Sequence, residues 1–358
     1  MQSNDRVLVA CAGAGKTTRL VEEAIGATDR RIAFVTYTNS NARSIERRFE
    51  ELNSMVPKSV DIMTWFAFLL SHGVRPYQRA KGIDTTIGGL AFTQRRSTRG
   101  VSESDTEKYY LRNGDIYPDK VSRFIVECNR LSGQAVLRRL SAIYTDIFID
   151  EFQDLAGWDW DVIKLLLDSG IRVTLVGDPR QHIYSTNPSP KNRKYLGIGV
   201  LQLVKEWERQ GTCEVQHMNQ THRCGDGICR FTNKLWPVAQ DMTRARPEAP
   251  ADAEIRLVHS SDVPSYVERY APQLLRHDRR APSHECEAMN FGISKGLQFD
   301  HVLIVPTKPI REFLATGDLA KIEKSREKLY VAATRARHSV AFVFDGKSAA
   351  IGKPYQLV

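Results

Sequence analysis

The chain has 358 residues, room for two domains and a small insertion at roughly 150 residues per domain. With 42% hydrophobic and 26% charged residues, and 23 Gly and 15 Pro spread along its length, its composition is globular and excludes a disordered, collagenous or fibrous chain. The formal charge of +9 favours a polyanionic partner. Part of that excess lies in residues 75–100, where Arg75, Arg79, Lys81, Arg95, Arg96 and Arg99 face the single acid Asp84.

In chain order, Arg6–Ala10 and Ile32–Thr36 are short β-branched runs that read as strands, and Thr17–Ala27, Asn41–Leu52 and Thr64–Ser71 have helical spacing. Residues 73 to about 135 break the rhythm and read as an insertion, with helical spacing resuming over Val121–Leu140. Ile147–Ile149 and Val173–Val176 continue the strands, with a helix at Asp161–Ser169 between them. After the turn-rich Asn187-Pro188-Ser189-Pro190 come strands at Glu214–Met218, Glu254–His259, Cys286–Asn290, His301–Val305 and Ser339–Phe344. Helices are expected there at Gly225–Leu235, Val263–Leu275 and Lys324–Arg337. Strands alternating with helices predict an α/β fold with parallel sheets. The expected division is residues 1–205 for the first domain and 206–358 for the second.

The apolar runs, such as Val302–Val305 and Val340–Phe344, are strand-sized, far short of the roughly 20 residues a membrane helix needs. Asp5 and Arg6 lead directly into a strand, so no signal peptide and a cytoplasmic location without membrane contact are expected. The six cysteines contain no CxxC and read as reduced thiols. Cys213, His217, His222, Cys224 and Cys229 lie close in sequence but match no standard zinc spacing.

The strongest chemical signal is Ala10-Cys11-Ala12-Gly13-Ala14-Gly15-Lys16-Thr17-Thr18, set between a strand and a helix. It is a Walker A variant with Ala10 where the first glycine belongs. Small residues let backbone N–H groups curl around phosphates, and the helix N-terminus adds positive charge. Lys16 reaches the terminal phosphates and Thr17 is a ligand for Mg²⁺. Such a loop needs a carboxylate on a neighbouring strand, which Asp146-Ile147-Phe148-Ile149-Asp150-Glu151 supplies. Asp150 is the expected Mg²⁺ partner and Glu151 the proton acceptor for attacking water.

These motifs, in order, resemble the UvrD/Rep/PcrA-like branch of superfamily 1 helicases. Ala12 to Thr17 is similar to motif I, Thr36-Tyr37-Thr38-Asn39 to motif Ia, and Thr64-Trp65-Phe66 to the next DNA-side motif. Asp150 to Asp154 resembles motif II, and Gly177 to Tyr184 motif III. Thr221-His222-Arg223 resembles motif IV, Ser294 to Phe299 motif V, and Leu329 to Ala336 motif VI. The resemblance implies two RecA-like domains, ATP in the cleft between them, and single-stranded or tailed DNA across their top. It assigns Gln181 as γ-phosphate sensor and Arg223 and Arg335 as arginine fingers. Ala12 to Thr18, His222, Gly296 and Gln298 become nucleotide contacts. Tyr37, Trp65, Phe66 and Tyr184 become stacking groups for bases, and Thr38, Asn39 and Thr64 donors to phosphates.

Four departures alter these expectations. With few residues ahead of the motif I strand, no adenine-reading glutamine motif is expected upstream, and Gln2 is a poor substitute. His222 stands where relatives carry a stacking Tyr. Ser185-Thr186-Asn187 follows Tyr184 where an aromatic is expected, and Gln298 replaces a Glu. The short stretch from Arg223 to Asn290 also leaves no space for the large insertion of the second domain.

The favoured reading is an ATP-dependent DNA translocase or helicase acting within a larger complex, in DNA repair or anti-phage defence. In compactness it is similar to the UvrD-like subunits of Gabija-type anti-phage systems, which implies an OLD-family nuclease as partner. The alternative is a DNA-sensing regulatory ATPase that gates a partner nuclease without unwinding. A small-molecule P-loop kinase explains motif I but leaves Arg223, Arg335 and the motif III string without a role.

Overall fold

The computed structural model describes residues 4–93, 97, 100–187, 189–238, 242–250, 253–284, 286–346 and 348–356. By contact the chain divides into one unit of residues 1–9 and 16–216 and a second of residues 10–15 and 217–358. The phosphate loop up to Gly15 thus groups with the second unit, while Lys16 onward belongs to the first.

In the first unit, β1 (Arg6–Ala10), α1 (Lys16–Gly26), β2 (Ile32–Thr36), α2 (Asn39–Asn53), β3 (Val60–Thr64) and α3 (Trp65–Leu69) follow the expected order. The insertion carries α4 (Thr106–Tyr110), a hairpin of β4 (Leu111–Arg112) and β5 (Asp115–Ile116), α5 (Pro118–Leu131) and α6 (Ala135–Ile143). Asn113 and Gly114, both at positive φ, make the hairpin turn, the pairing that a two-residue I′ turn requires. Then come β6 (Asp146–Asp150), α7 (Asp159–Leu167), β7 (Arg172–Gly177), α8 (Val200–Gln210) and β8 (Glu214–Met218). The sheet order is β3-β2-β6-β7-β1-β8.

All five residues of β2 and of β6 are buried, as expected of central parallel strands covered on both faces. The parallel register aligns Thr36 with Thr64, Asp150 with Val176, and Val9 with Gly177. These ends therefore share one edge of the sheet, the C-terminal edge where ligands of open α/β sheets bind. The insertion does not form a core of its own. Tyr110, Ile116, Phe124 and Val121 belong to the same buried cluster as Val7, Trp65 and Trp160.

The second unit contains β9 (Gln220–Thr221), α9 (Asp226–Leu235), β10 (Arg244–Ala245), β11 (Glu254–Val258), α10 (Val263–Tyr270), β12 (Gln273–Arg276) and β13 (Ala288–Asn290). It continues with β14 (Phe299–Val305), α11 (Lys308–Thr316), α12 (Arg326–Ala333), β15 (Ala336–Val343) and β16 (Lys353–Pro354). Its six-stranded sheet has the order β13-β12-β14-β15-β11-β16 and is parallel. The protein is therefore α/β with two six-stranded parallel sheets, consistent with two RecA-like domains.

Four expectations differ from this arrangement, one of them the helix expected over Lys324–Arg337, which ends at Ala333 because Ala336–Val343 is a strand. Glu214–Met218, grouped above with the strands of the second half, forms the edge of the first sheet, because an alternating pattern defines a strand but not its neighbour. The helix expected over Val263–Leu275 ends at Tyr270, where Ala271 turns at φ 41, and Gln273–Arg276 is a strand. The helical spacing over Val121–Leu140 is two helices, separated at Gly133 and Gln134, both at positive φ. Arg95, Arg96 and Arg99 of the basic stretch lie outside the described residues, as do Gln2 and Pro188. Among the described residues no helix is long and apolar enough to cross a membrane.

Candidate nucleotide site and its surroundings

At the C-terminal edge of the first sheet, α1 begins with Lys16 and Thr17 opposite the end of β6. Lys16 Nζ lies 2.8 Å from Glu151 Oε1, and Thr17 Oγ1 donates to Asp150 Oδ2 at 3.1 Å. Burial alone would disfavour the lysine charge, but Glu151 and Asp150 outweigh it and raise its pKa. Asp150 is pushed up to about 6, first by burial and then by the charge of Glu151, against the opposing pull of Lys16. Glu151 sits at φ 61, a left-handed conformation that non-glycine residues seldom adopt.

Gln153 is the residue the sequence did not assign a role. It is 1% exposed; its amide N–H₂ donates to Glu151 Oε2, and its Oε1 accepts the backbone N–H of Asp178 at 3.1 Å. Asp178 in turn accepts from Gln181 Nε2 at 3.0 Å and from Arg180 Nε at 2.8 Å. The His182 ring nitrogen Nδ1 is 2.8 Å from the Gln153 carbonyl oxygen. Gln181 is thus held at the end of a buried polar chain that starts at Glu151. The signal for Gln153 was its place inside the Asp150 to Asp154 string, but only folding shows which groups its amide meets.

Of the other residues expected to contact a nucleotide, Thr18 is in the first unit and accepts from Arg48 Nε at 3.1 Å, and the rest belong to the second unit. Ala12 and Ala14 are buried. Gly13 has φ 74, and a Cβ there would come within 2.6 Å of Arg223 Cβ and Thr221 Oγ1, so only glycine fits. The His222 backbone N–H donates to the Gly13 carbonyl at 2.9 Å, and its ring lies 3.7 Å from where a Cβ on Gly15 would stand. Arg223 donates to the Thr334 carbonyl at 3.1 Å, and its buried Nε has no hydrogen-bond partner among the described residues. Arg335 is 2% exposed and donates to the carbonyls of Val331 at 3.0 Å and Leu297 at 3.3 Å. It is not a solvated surface arginine. Gly296, at φ 88, and Gln298 are exposed in the segment before β14.

The DNA-side candidates fall into two groups. Thr38 and Thr64 are the N-caps of α2 and α3, their hydroxyl oxygens accepting from Asn41 N and Ala67 N. Asn39 is exposed, Tyr37 and Phe66 are half-buried, and Tyr184 is 45% exposed. Trp65 is 1% exposed and stacks on Phe68 at 6.2 Å between centroids, which makes it part of the core. In the Ser185-Thr186-Asn187 segment, Thr186 is buried, bonded to the Asp154 carbonyl at 3.0 Å and to Asp159. Among the described residues no group of three or more His, Cys, Asp or Glu side chains is placed to hold a metal ion.

A segment of the sequence and the fold of the chain are similar to known proteins. Residues 104–189 match the UvrD/REP helicase N-terminal domain, a stretch that includes Asp150 to Asp154 and Gly177 to Tyr184. No curated protein matches the sequence. Arterivirus nonstructural protein 10, a helicase, is similar over 97% of this chain and 61% of its own, with a TM-score of 0.51 at 12% identity. The same viral helicase in complex with DNA is similar over 97% and 62%, with a TM-score of 0.51 at 13% identity. The chain spans about three fifths of the length of these structures. Residues 104–189 are therefore similar to the N-terminal domain of UvrD/REP helicases, within a fold that the chain shares over 97% of its length with the arterivirus helicase.

Proposed function

We propose that the chain is an ATP-dependent DNA translocase or helicase of the UvrD-like family, hydrolysing ATP at Lys16, Thr17, Asp150 and Glu151. The observation that carries the reading is the pairing of a phosphate-loop lysine and threonine with adjacent acids at the end of a neighbouring strand. Lys16 is the group for the terminal phosphates, and a bound nucleotide takes the place of Glu151 as its partner. Glu151, released from Lys16, accepts the proton of the attacking water while Gln153 fixes its carboxylate. Hydroxyl and carboxylate oxygens are the donor set that Mg²⁺ prefers, and two protein ligands suffice because the ion keeps several waters. Thr17 and Asp150 would hold it, where it neutralises phosphate charge. Arg223 and Arg335 are the proposed cations for the transition state, and the orphaned Nε of Arg223 supports that role.

A DNA substrate is supported by the match to UvrD/REP helicases and by the DNA complex of the similar viral helicase. The second reading, a DNA-sensing ATPase that gates a partner without unwinding, is favoured by one observation. The segment after Tyr184 buries Thr186 where an exposed aromatic would grip a base. The experiment is ATP hydrolysis by the purified chain with and without single-stranded DNA, followed by unwinding of a tailed duplex. Hydrolysis that ignores DNA overturns both readings, and hydrolysis without strand separation selects the second. An OLD-family nuclease partner and an anti-phage role are supported by the similarity in compactness and are tested by pull-down from the native host.

A further inference from the structure

Gln153 joins two functional segments through both ends of one amide. Its N–H₂ holds the carboxylate proposed as proton acceptor, and its carbonyl oxygen holds the backbone N–H that opens the Asp178 to Gln181 turn. The side chain is buried, and its bond to the Asp178 N–H is buried throughout, out of competition with water. Its space is reserved: a Cβ on Gly177 would overlap Gln153 Oε1 and crowd the Phe152 ring. The glycine at the end of β7 thus admits the amide. His182, next to Gln181, is bonded to the Gln153 carbonyl as well, so side chain and backbone of one residue are tied to the same turn.

We propose that Gln153 is a positioning residue that makes Glu151 and Gln181 move as one, so that a shift of the 178–182 turn repositions the proton acceptor. This rests on the reading of Glu151 given above. A glutamine amide is suited to the task because it donates and accepts at once; no carboxylate or hydrocarbon of similar length does both. The Gly177 to Tyr184 segment reaches from this turn to the exposed Tyr184 ring.

The test separates the two bonds. Gln153→Met keeps the length and loses both. It is expected to lower kcat by about 10²-fold, the scale of an ångström-sized misplacement, to leave KM for ATP within about twofold because it touches no phosphate-loop residue, and to speed hydrogen exchange at the Asp178 amide. Gln153→Glu is nearly isosteric and keeps the acceptor toward Asp178, but it sets a second carboxyl against Glu151 with which Glu151 must share a proton, so kcat falls while the Asp178 amide stays protected. It also serves if the methionine variant does not fold. Wild-type turnover in Gln153→Met, or unchanged exchange at Asp178, overturns the proposal. If the wild-type chain hydrolyses no ATP, the reading of Glu151 fails, and the exchange measurement alone still decides whether Gln153 holds the turn.

Discussion

The two ends of β6 carry aspartates in opposite circumstances. Asp146, at the N-terminal end, is 0% exposed and sits between two guanidinium groups. Arg30 reaches it through Nε at 2.9 Å and through a second nitrogen, and Arg172 through Nε at 3.1 Å. Asp150, at the C-terminal end, is also buried, but its neighbours are one hydroxyl, one lysine and a competing carboxylate. The first end has positive charge in excess and is saturated. The second is short of it, which is why the Asp150 carboxyl is pushed up to about 6. The same residue type on one strand is structural where its charge is matched and chemically poised where it is not.

The sharpest way to break this comparison is at the poised end. Lys16→Ala and Glu151→Gln are each expected to lower ATP turnover by on the order of 10³-fold or more, read by steady-state hydrolysis, with Glu151→Gln still binding nucleotide. A Glu151→Gln protein with near-normal turnover removes the chemical role from that end. Arg335→Ala is expected to cost a comparable factor, on the order of 10³, with thermal unfolding measured alongside because its side chain is buried.

The saturated end should respond in stability instead. Asp146→Ala removes the buried carboxylate that Arg30 and Arg172 share, with its charge-assisted hydrogen bonds, and is expected to cost about 3 kcal/mol of unfolding free energy, measured by denaturant melts. If it abolishes hydrolysis and leaves the melt unchanged, the contrast is wrong.

Asp150→Asn should do the reverse. A carboxyl whose folded pKa, about 6, lies above its reference value of 3.8 destabilises its own fold once ionised. That penalty is absent below about pH 4, grows as pH rises to about 6 and is complete above it. Above pH 6 the asparagine variant is therefore expected to be more stable than wild type by about 3 kcal/mol, the difference vanishing near pH 4. A constant difference across that range assigns the shift to another group. The smallest effect is expected at Tyr184→Ala, which should weaken binding of oligothymidylate by about 1 kcal/mol with the melt unchanged.

Much of this was legible in advance for physical reasons. β1, β2, β6 and β7 are short β-branched runs ending in small or acidic residues, and each is a strand within a residue of where its pattern placed it. What failed was pairing and brevity. β8 has a strand's alternation, yet nothing in its five residues says which sheet it completes. β12 is four residues long and follows a helix after a two-residue turn at Ala271, so its apolar pair merges with the helical spacing. Trp65 shows the same limit on the site side. An aromatic next to a helix cap satisfies the pattern of a stacking group, but the direction of its ring is set by Phe68 and the insertion around it.

The sequence by itself determined the α/β class, the glycine-rich loop with its lysine and threonine, and the paired acids at a strand end, because these depend on local periodicity and on residues that are neighbours in the chain. The tertiary structure alone decided two further things: that Asp146 is clamped while Asp150 is left short of charge, and that one glutamine amide ties Glu151 to the turn of Gln181. Each depends on what a side chain meets across strands far apart in sequence. A hydrogen bond or a charge balance is a property of that meeting, not of the residue.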